Sequence, residues 1–515
     1  MNKTFYITTP IYYPSGDFHI GTAVTTLICD VLARFKRLNG YDVLFVTGMD
    51  EHGQKIQEVA QKLGLSPQEH VDNVAKTAQL LWKRLEITND DFIRTTENRH
   101  QVVVEKIFKY FLDNGDIYLD KYRGHYCVPC ESYFTESQLE DGKCPSCHRD
   151  VVWMEEEAYF FNMKKYAKQL TDYYEKYPDF ILPEFRKNEL LNNFIKPGLE
   201  DLAVSRSTFD WGIKVPGDSK HVMYVWIDAL FNYLSVLGYN TPDNERYLKY
   251  WPANVQIVGK DIIRFHAIYW PIFLMALGLE LPNHIYAHGF YLMKDNKISK
   301  SKGKIIKPDD LINRYGLDAT RYYILAGLPY AQDGNFTPES FVEKYNYELC
   351  NDLGNLLNRS IGMINKYLNG QITKIEINDN EISSFTLNQV KLVHNYLDKF
   401  ELANSLTELW KIIRRTNKFI EENEPWVLYK NNEDSKLREV MYILVENLNI
   451  IASLLDYYIP NTANNIRTQL GIKERHALTN YNLTDDCQVT DNPEPIFLRL
   501  DMEEELKFFN QLLKN

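Results

Sequence analysis

Four clusters in this sequence have the residue types and spacing to do chemistry. The first is a turn near the start, FYITTPIYYPSGDFHIGTAVTT over residues 5–26, where His19 and Gly21 stand at the mouth of a helix. Backbone amides at a helix start favour an anion, and a histidine and a glycine there suit a phosphate. The second is KISKSKG, residues 297–303, in which Lys297, Ser299 and Lys300 offer mobile charges and hydroxyls to a polyphosphate. The third is TGMDEHG, residues 47–53, whose Asp50 serves either as a helix cap or as the holder of a substrate ammonium. The fourth is a pair of Cys-x-x-Cys knuckles, Cys127 with Cys130 and Cys144 with Cys147. Four such thiolates match a closed tetrahedral zinc site, and in a reducing compartment metal is favoured over disulfides. His148 falls outside a shell that four cysteines already fill, and Cys29, Cys350 and Cys487 are isolated.

These residues need a scaffold that brings several loops to one edge. Phe5, Tyr6 and Ile7 read as a short buried strand closed by Pro10, Pro14 and Gly16. From Ile20 the apolar positions Val24, Leu27, Val31, Phe35 and Leu38 predict a helix that Gly40 stops. YDVLFVT, residues 41–47, is the next strand, so the three make a βαβ unit with its loop at the carboxyl ends of the strands. Helices are predicted over 71–85 and 96–114, the second ended by Gly115. The cysteines lie in an insertion between two halves of a nucleotide fold. The sheet is expected to resume at Val222 with MYVWIDALFNYL, followed by NVQIVGKDIIRFHAIYWPIFLMALGL and the strand IYAHGFYLM. Trp226 and Tyr233 read as core aromatics, while Ile262, His266 and Trp270, four apart, share a helix face. Further on, Thr337-Pro338-Glu339 signals a helix start, Asn355 and Arg359 lie four apart on one face, and Trp426 follows Pro425. The expected fold class is α/β: a Rossmann-type doubly wound parallel sheet with a zinc-knuckle insertion, followed by an α-helical bundle. The expected divisions are 1–115 and 221–295 for the two catalytic halves, 116–220 for the insertion, 296–345 for the lysine loop and linking helices, and 346–515 for the bundle.

Composition bounds the partners. With 515 residues, 44% hydrophobic and 25% charged, the chain has room for two to four globular domains. A net charge of -12 means that any nucleic-acid surface must be a local patch on an acidic body. The opening MNKTFYITTP lacks the apolar core of a signal peptide, and the apolar stretch 269–279 is too short to span a bilayer. No membrane association is expected, and the cytoplasm is the expected compartment.

The turn and the lysine loop resemble the two signatures of class I aminoacyl-tRNA synthetases, written HIGH and KMSKS. Here they read His19, Ile20, Gly21, Thr22 and Lys297, Ile298, Ser299, Lys300, Ser301. Thr22 puts a hydroxyl where the pattern has a second histidine, which shifts phosphate work toward His19 and the lysines. Across nearly the whole chain, PIYYPSGDFHIG, TGMDEHGQKI, the cysteine knuckles, YVWIDALFNY, GKDIIRFHAIYWP, KISKSKG and EPWVLYK resemble the bacterial-type methionyl-tRNA synthetase family.

That resemblance implies methionine, ATP and tRNA(Met) as partners, Mg2+ with the ATP and one structural Zn2+; with no appended basic barrel of the kind that dimerises some relatives found in the sequence, a monomer is expected. The resemblance implies a methionine pocket of Ile11, Tyr13, Asp50, Trp226, Ala229, Tyr233, Ile262, His266 and Trp270, with Leu230 where some members have proline. His19, Gly21, Thr22, Lys297, Ser299 and Lys300 would handle the phosphates, Gly259 and Asp261 the ribose. Asn355, Arg359 and Trp426 would read the CAU anticodon. A thioether is nearly apolar and a weak acceptor, so an aromatic slot suits it, with Tyr233 and His266 as donors to the sulfur. Two other readings are a nucleotidylyltransferase, which needs neither the knuckle nor the helical half, and a noncatalytic tRNA-binding paralogue, for which only Thr22 speaks.

Overall fold

The computed structural model describes residues 3–14, 18–130, 132–134, 136–145, 147–293, 296–297, 305–378, 380–473, 475, 478 and 480–512. Ser299 and Lys300 lie outside them, and of Lys297 only the backbone is described. By its contacts the chain forms two compact units, Met1–Asp17 with Tyr41–His288, and Phe18–Gly40 with Gly289–Asn515.

The first unit is built on strands β1 (Thr4–Thr8), β2 (Asp42–Met49) and β3 (Asp91–Arg94). Then come β4 (Ile117–Cys127), β5 (Ser132–Phe134), β6 (Val152–Phe161), β7 (Ile181–Leu182), β8 (Leu202–Ala203) and β9 (Ser205–Arg206). β10 (Lys214–Val215), β11 (Asp218–Met223), β12 (Val255–Gly259) and β13 (His284–His288) complete the set. The central sheet runs β3-β2-β1-β12-β13-β7, and every neighbouring pair in it is parallel. Parallel strands are covered on both faces, which is why β1 and β2 read as continuous apolar runs rather than as alternation. Tyr6, Leu44 and Val46 on one face pack near Val236 and Leu237, and Val258, Ile285 and Ala287 pack with Tyr233, Trp270 and Ile272. Chain order reverses between β1 and β12, so the loops leaving β1, β2 and β12 share the edge where such sheets bind ligands.

The expected halves need three corrections. The stretch from Val222 does not resume the central sheet: β11 pairs antiparallel with β9 and β10 in a separate sheet, and the central sheet resumes only at Val255. Periodicity marks a strand without naming its partner. β7, the edge of the central sheet, comes from inside the expected insertion, and a two-residue strand leaves no periodic signal. IYAHGFYLM is also broken: β13 stops at His288, and Tyr291–Met293 pairs instead with Asn296–Lys297 and Gly334–Asn335. A Cβ at Gly289 would stand 2.0 Å from the Gln332 carbonyl oxygen, so the backbones touch at that break.

Other elements follow the sequence. Helices span Pro67–Arg84 and Asn98–Asp113, and Gly115 takes a φ of 71° beyond the second. In the second unit the helix Ile20–Leu38 ends before Gly40, whose φ is 81°. It packs on Leu317–Ala326 through a fully buried pair, Asp30 with Arg321 at 2.6 Å, and Arg321 Nε also donates to the Tyr458 carbonyl. Thr337 caps the helix Pro338–Lys344 by accepting from the Ser340 amide at 3.0 Å. Helices Asn355–Leu368, Glu381–Asp398, Leu402–Asn423, Asp434–Leu455 and Pro460–Leu470 make up the bundle. Among the described residues no helix is long and apolar enough to cross a membrane.

Candidate active site

Asp50 leaves the carboxyl end of β2, 7% exposed, on a loop whose every peptide is tied. Its amide donates to the Tyr12 carbonyl at 2.9 Å and the Glu51 amide to Thr95 Oγ1 at 2.9 Å. Trp211 Nε1 donates to the Glu51 carbonyl at 2.6 Å, and the Gly53 amide returns a bond to the Trp211 carbonyl. The buried Glu51 carboxylate accepts from Arg94 Nε at 2.7 Å and from Thr96. The loop therefore holds its buried carboxylate on a fixed backbone.

Trp226, Tyr233, Ile262 and Trp270 belong with Tyr13 to one packed cluster, whereas Ile11 packs on a second cluster around Tyr6 and Leu44. Trp226 stacks on Phe265 at 3.6 Å between ring centres, nearly parallel, and meets the His266 ring edge-on. Residues 265–269 form a π-helical turn before the helix Trp270–Ala276, a widening that recurs at functional sites. Ala229 is buried beside Trp226 on the helix Val225–Leu230. Gly259 closes β12, and Asp261 is exposed just beyond it at the same edge.

The expected donors to a sulfur are spent elsewhere. His266 Nδ1 lies 3.0 Å from the Ile262 carbonyl, which can only accept, so Nδ1 carries the hydrogen. Nε2 then accepts from the Tyr233 hydroxyl at 2.7 Å. Burial pushes the His266 imidazole down to about 4, against the Ile262 carbonyl and Asp261, so the ring is neutral near pH 7. The pair presents ring surface and a phenolic oxygen rather than free N–H or O–H groups. The indole nitrogens of Trp226 and Trp270 are buried with no hydrogen-bond partner among the described residues.

A polar cluster missed by sequence reasoning lies two residues from Asp50 and two from Trp226. Asp228, fully buried on the helix Val225–Leu230, accepts from His52 Nδ1 at 2.6 Å on one oxygen and from His100 Nε2 at 2.7 Å on the other. His100 Nδ1 reaches Ser235 Oγ at 2.8 Å, and the Ser235 hydroxyl donates to the Asn232 carbonyl. Burial alone would raise the Asp228 carboxyl, but the neighbouring charge of His52 and the bonds from both histidines outweigh it and hold it at about 2. The only sequence signal was the nearness of His52 and Asp228 to pocket positions.

His19, Gly21 and Thr22 belong to the second unit. His19 is the extended residue before the helix Ile20–Leu38, and its carbonyl accepts from the Thr22 and Ala23 amides. A Cβ at Gly21 would lie 3.1 Å from His19 Cε1 and Nδ1, so glycine leaves room for the ring. The Ile20 amide donates to the Ile306 carbonyl at 3.0 Å, which ties the helix start to the segment just after the lysine loop.

The four cysteine sulfurs converge, all within 4.8 Å of one another, with Cys127 to Cys147 at 3.6 Å and Cys130 to Cys144 at 3.9 Å. Ligands about 2.3 Å from a tetrahedral zinc stand about 3.8 Å apart, so the donor set fits that ion. His148 is exposed, as its sequence context implies. In the bundle, Asn355 is exposed at its helix start, Arg359 Nη2 pairs with Glu421 at 2.6 Å, and Trp426 is 38% exposed on the short helix Pro425–Lys430.

A parallel sheet with its switch-point edge, a His-Ile-Gly helix start and a four-cysteine knuckle narrow the class. The sequence profile described as "tRNA synthetases class I (M)" matches residues 5–152 and 149–361. A second, "Anticodon binding domain of methionyl tRNA ligase", matches residues 373–509. The chain thus belongs to the class I tRNA synthetases. Within that class it belongs to the methionine–tRNA ligase family. It is 54% identical to the methionine–tRNA ligase of Bacillus subtilis over 98% of this chain and 79% of that one, and 54% identical to the Listeria innocua enzyme over 99% and 80%. The solved Mycobacterium tuberculosis methionyl-tRNA synthetase bound by methionyl-adenylate matches with a TM-score of 0.91 and 37% identity, covering 96% of this chain and all of that one. Its free-state form matches at 0.85 and 35% identity, covering 97% and 99%.

Proposed function

We infer that this chain joins methionine to tRNA(Met) in two steps, as an ATP-dependent ligase acting in the cytoplasm. The methionine carboxylate attacks the α-phosphate of MgATP, and the bond to the bridging oxygen breaks to release pyrophosphate. The terminal ribose hydroxyl of the tRNA then takes the methionyl group, and AMP leaves. The observation that carries the reading is a fixed, buried carboxylate, Asp50, on a loop that the His52–Asp228 bond ties to an aromatic wall with a neutral histidine. Asp50 suits the ammonium. Ile11, Tyr13, Trp226, Ala229, Tyr233, Ile262, His266 and Trp270 suit an apolar thioether, which a charged ring would repel.

The phosphorus chemistry needs positioning and charge rather than a protein nucleophile. We assign His19, Gly21 and Thr22 to the ATP phosphates, Gly259 and Asp261 to the ribose, and Lys297, Ser299 and Lys300 to the departing pyrophosphate. Asn355, Arg359 and Trp426 are assigned to the CAU anticodon, since single-stranded bases are read by stacking and edge contacts. The cysteines would hold one zinc as a structural cross-link, and metal analysis of folded protein should return one zinc per chain.

The test is pyrophosphate exchange into ATP, with each common amino acid offered separately. Exchange with methionine alone is expected. Exchange with a different amino acid overturns the pocket assignment, and no exchange from folded, zinc-loaded protein overturns the reaction. Nothing in the comparisons favours a noncatalytic tRNA-binding role.

A further inference from the structure

The two ends of the amino-acid site sit on separate pieces of chain. Asp50 follows β2, whereas Trp226 and Ala229 sit on Val225–Leu230, a six-residue helix with no side-chain cap. So short a helix does not hold itself, and its place must come from tertiary ties. The only charged side chain in that helix is Asp228, and it is fully buried.

Both of its oxygens are used, and by histidines from two different elements. His52 comes from the Asp50 loop, and His100 from the helix Asn98–Asp113. His100 reaches on to Ser235 in the next short helix, Asn232–Ser235, which also carries Tyr233. One carboxylate therefore spans the loop that bears Asp50 and both helices that bear Trp226, Ala229 and Tyr233. A buried carboxylate is costly unless fully paired, and packing alone could be met by an apolar residue. What a charged, doubly bonded group adds is short, directional contacts that tolerate little displacement.

We propose that Asp228 is a positioning residue that sets the spacing between the ammonium end and the side-chain end of the methionine site. It touches no substrate; it acts as a ruler, through His52 on one end and its own helix on the other. The inference rests on the reading that Asp50 holds the ammonium and that Trp226, Ala229 and Tyr233 flank the side chain.

The test compares Asp228→Asn, which keeps the shape but removes the charge, with wild type in pyrophosphate exchange, with melting temperature measured alongside. Misplacement of a site component costs about tenfold or more, so the KM for methionine should rise by at least that much. The KM for ATP should stay within about twofold, because the described ties run to His52, His100 and Ser235, none of them assigned to the phosphates. Relative use of norleucine and ethionine against methionine should rise, as a slack ruler measures length poorly. Should Asp228→Asn fail to fold, His100→Gln keeps the Asp228–His52 arm and should show the same pattern more weakly.

A folded variant with an unchanged methionine KM overturns the proposal, leaving Asp228 a role in the fold alone. Equal rises in the KM values for methionine and ATP overturn it as well, since that is general loosening. Asp50→Ala is run in parallel: if it binds methionine normally, the underlying reading of the site has failed, and the ruler falls with it for that separate reason.

Discussion

The amino-acid site and the helical face assigned to the anticodon recognise by opposite means. In the residues assigned to the amino-acid site and their neighbours the polar groups are buried and already committed: Glu51 to Arg94 and Thr96, His266 to Ile262 and Tyr233, Asp228 to two histidines. On the bundle, Asn355 and Trp426 are exposed, and the half-buried Arg359 pairs with an exposed partner, Glu421. A small ligand with few contacts needs a prearranged enclosure, because each imperfect contact is a large share of its binding. A large nucleic acid spreads its binding over many exposed groups and can displace a surface ion pair at little cost. Changes in the first region should therefore be severe and specific to methionine, and changes in the second mild and specific to tRNA.

Asp50→Ala should sharpen that contrast most. Removing one partner of a buried charge pair costs on the order of 3 kcal/mol, so kcat/KM for methionine in pyrophosphate exchange should fall by more than about a hundredfold. A loss of less than about tenfold would break the comparison on its buried side.

The second prediction concerns pH. His266 is held near 4 in the fold against about 6.5 when unfolded, so the unfolded chain takes up the proton first as pH falls. Its contribution is intact above about pH 6.5 and is lost progressively as pH falls toward 4, amounting to about 2 kcal/mol by pH 5. Denaturant unfolding between pH 8 and 5 should show that slope in wild type and a shallower one in His266→Gln; identical slopes would remove the neutral ring from the account.

Trp426→Ala should be milder. A stacked base is worth about 1 to 3 kcal/mol, so aminoacylation should drop by roughly tenfold or more while exchange stays within about twofold. Equal losses in both assays would erase the division between the regions. Smallest of all, Glu421→Gln frees Arg359 and removes a negative charge, so tRNA should bind slightly tighter, by less than about 1 kcal/mol at moderate salt. A weaker complex would mean that the pair orients Arg359 rather than competing for it.

Local chemistry was legible in the sequence. The cysteine knuckles, the first helix with its glycine stop and the Thr337 cap depend on neighbours a few residues away, and all three stand as read. Partners distant in the chain were not. The stretch ending in β11 reads as a strand correctly, yet nothing local says that it pairs with β9 and β10, and β7 is too short to show any period. Asp228 stands between apolar residues in the sequence, and the histidines that justify its burial lie 176 and 128 residues away. Of the residues carried by resemblance, Tyr13, Trp226, Tyr233, Ile262 and Trp270 share one cluster, but the tautomer of His266 depends on the Ile262 carbonyl, a main-chain atom that no side-chain pattern encodes.

The helix Ile20–Leu38 interrupts the first unit in sequence and joins the second by its contacts, so the chain passes between the units three times, near residues 17, 40 and 288. Neither unit can then be cut out as one continuous piece of gene. A fragment beginning at Gly289 would carry Arg321 without Asp30, a fully buried cation stripped of its counter-charge. Exchange of the helical half between relatives by a single crossover would have to carry a matched first helix along with it. The two halves are therefore expected to be inherited together, and a hybrid that swaps only residues 289–515 should fold well only when its donor supplies a partner compatible with Asp30.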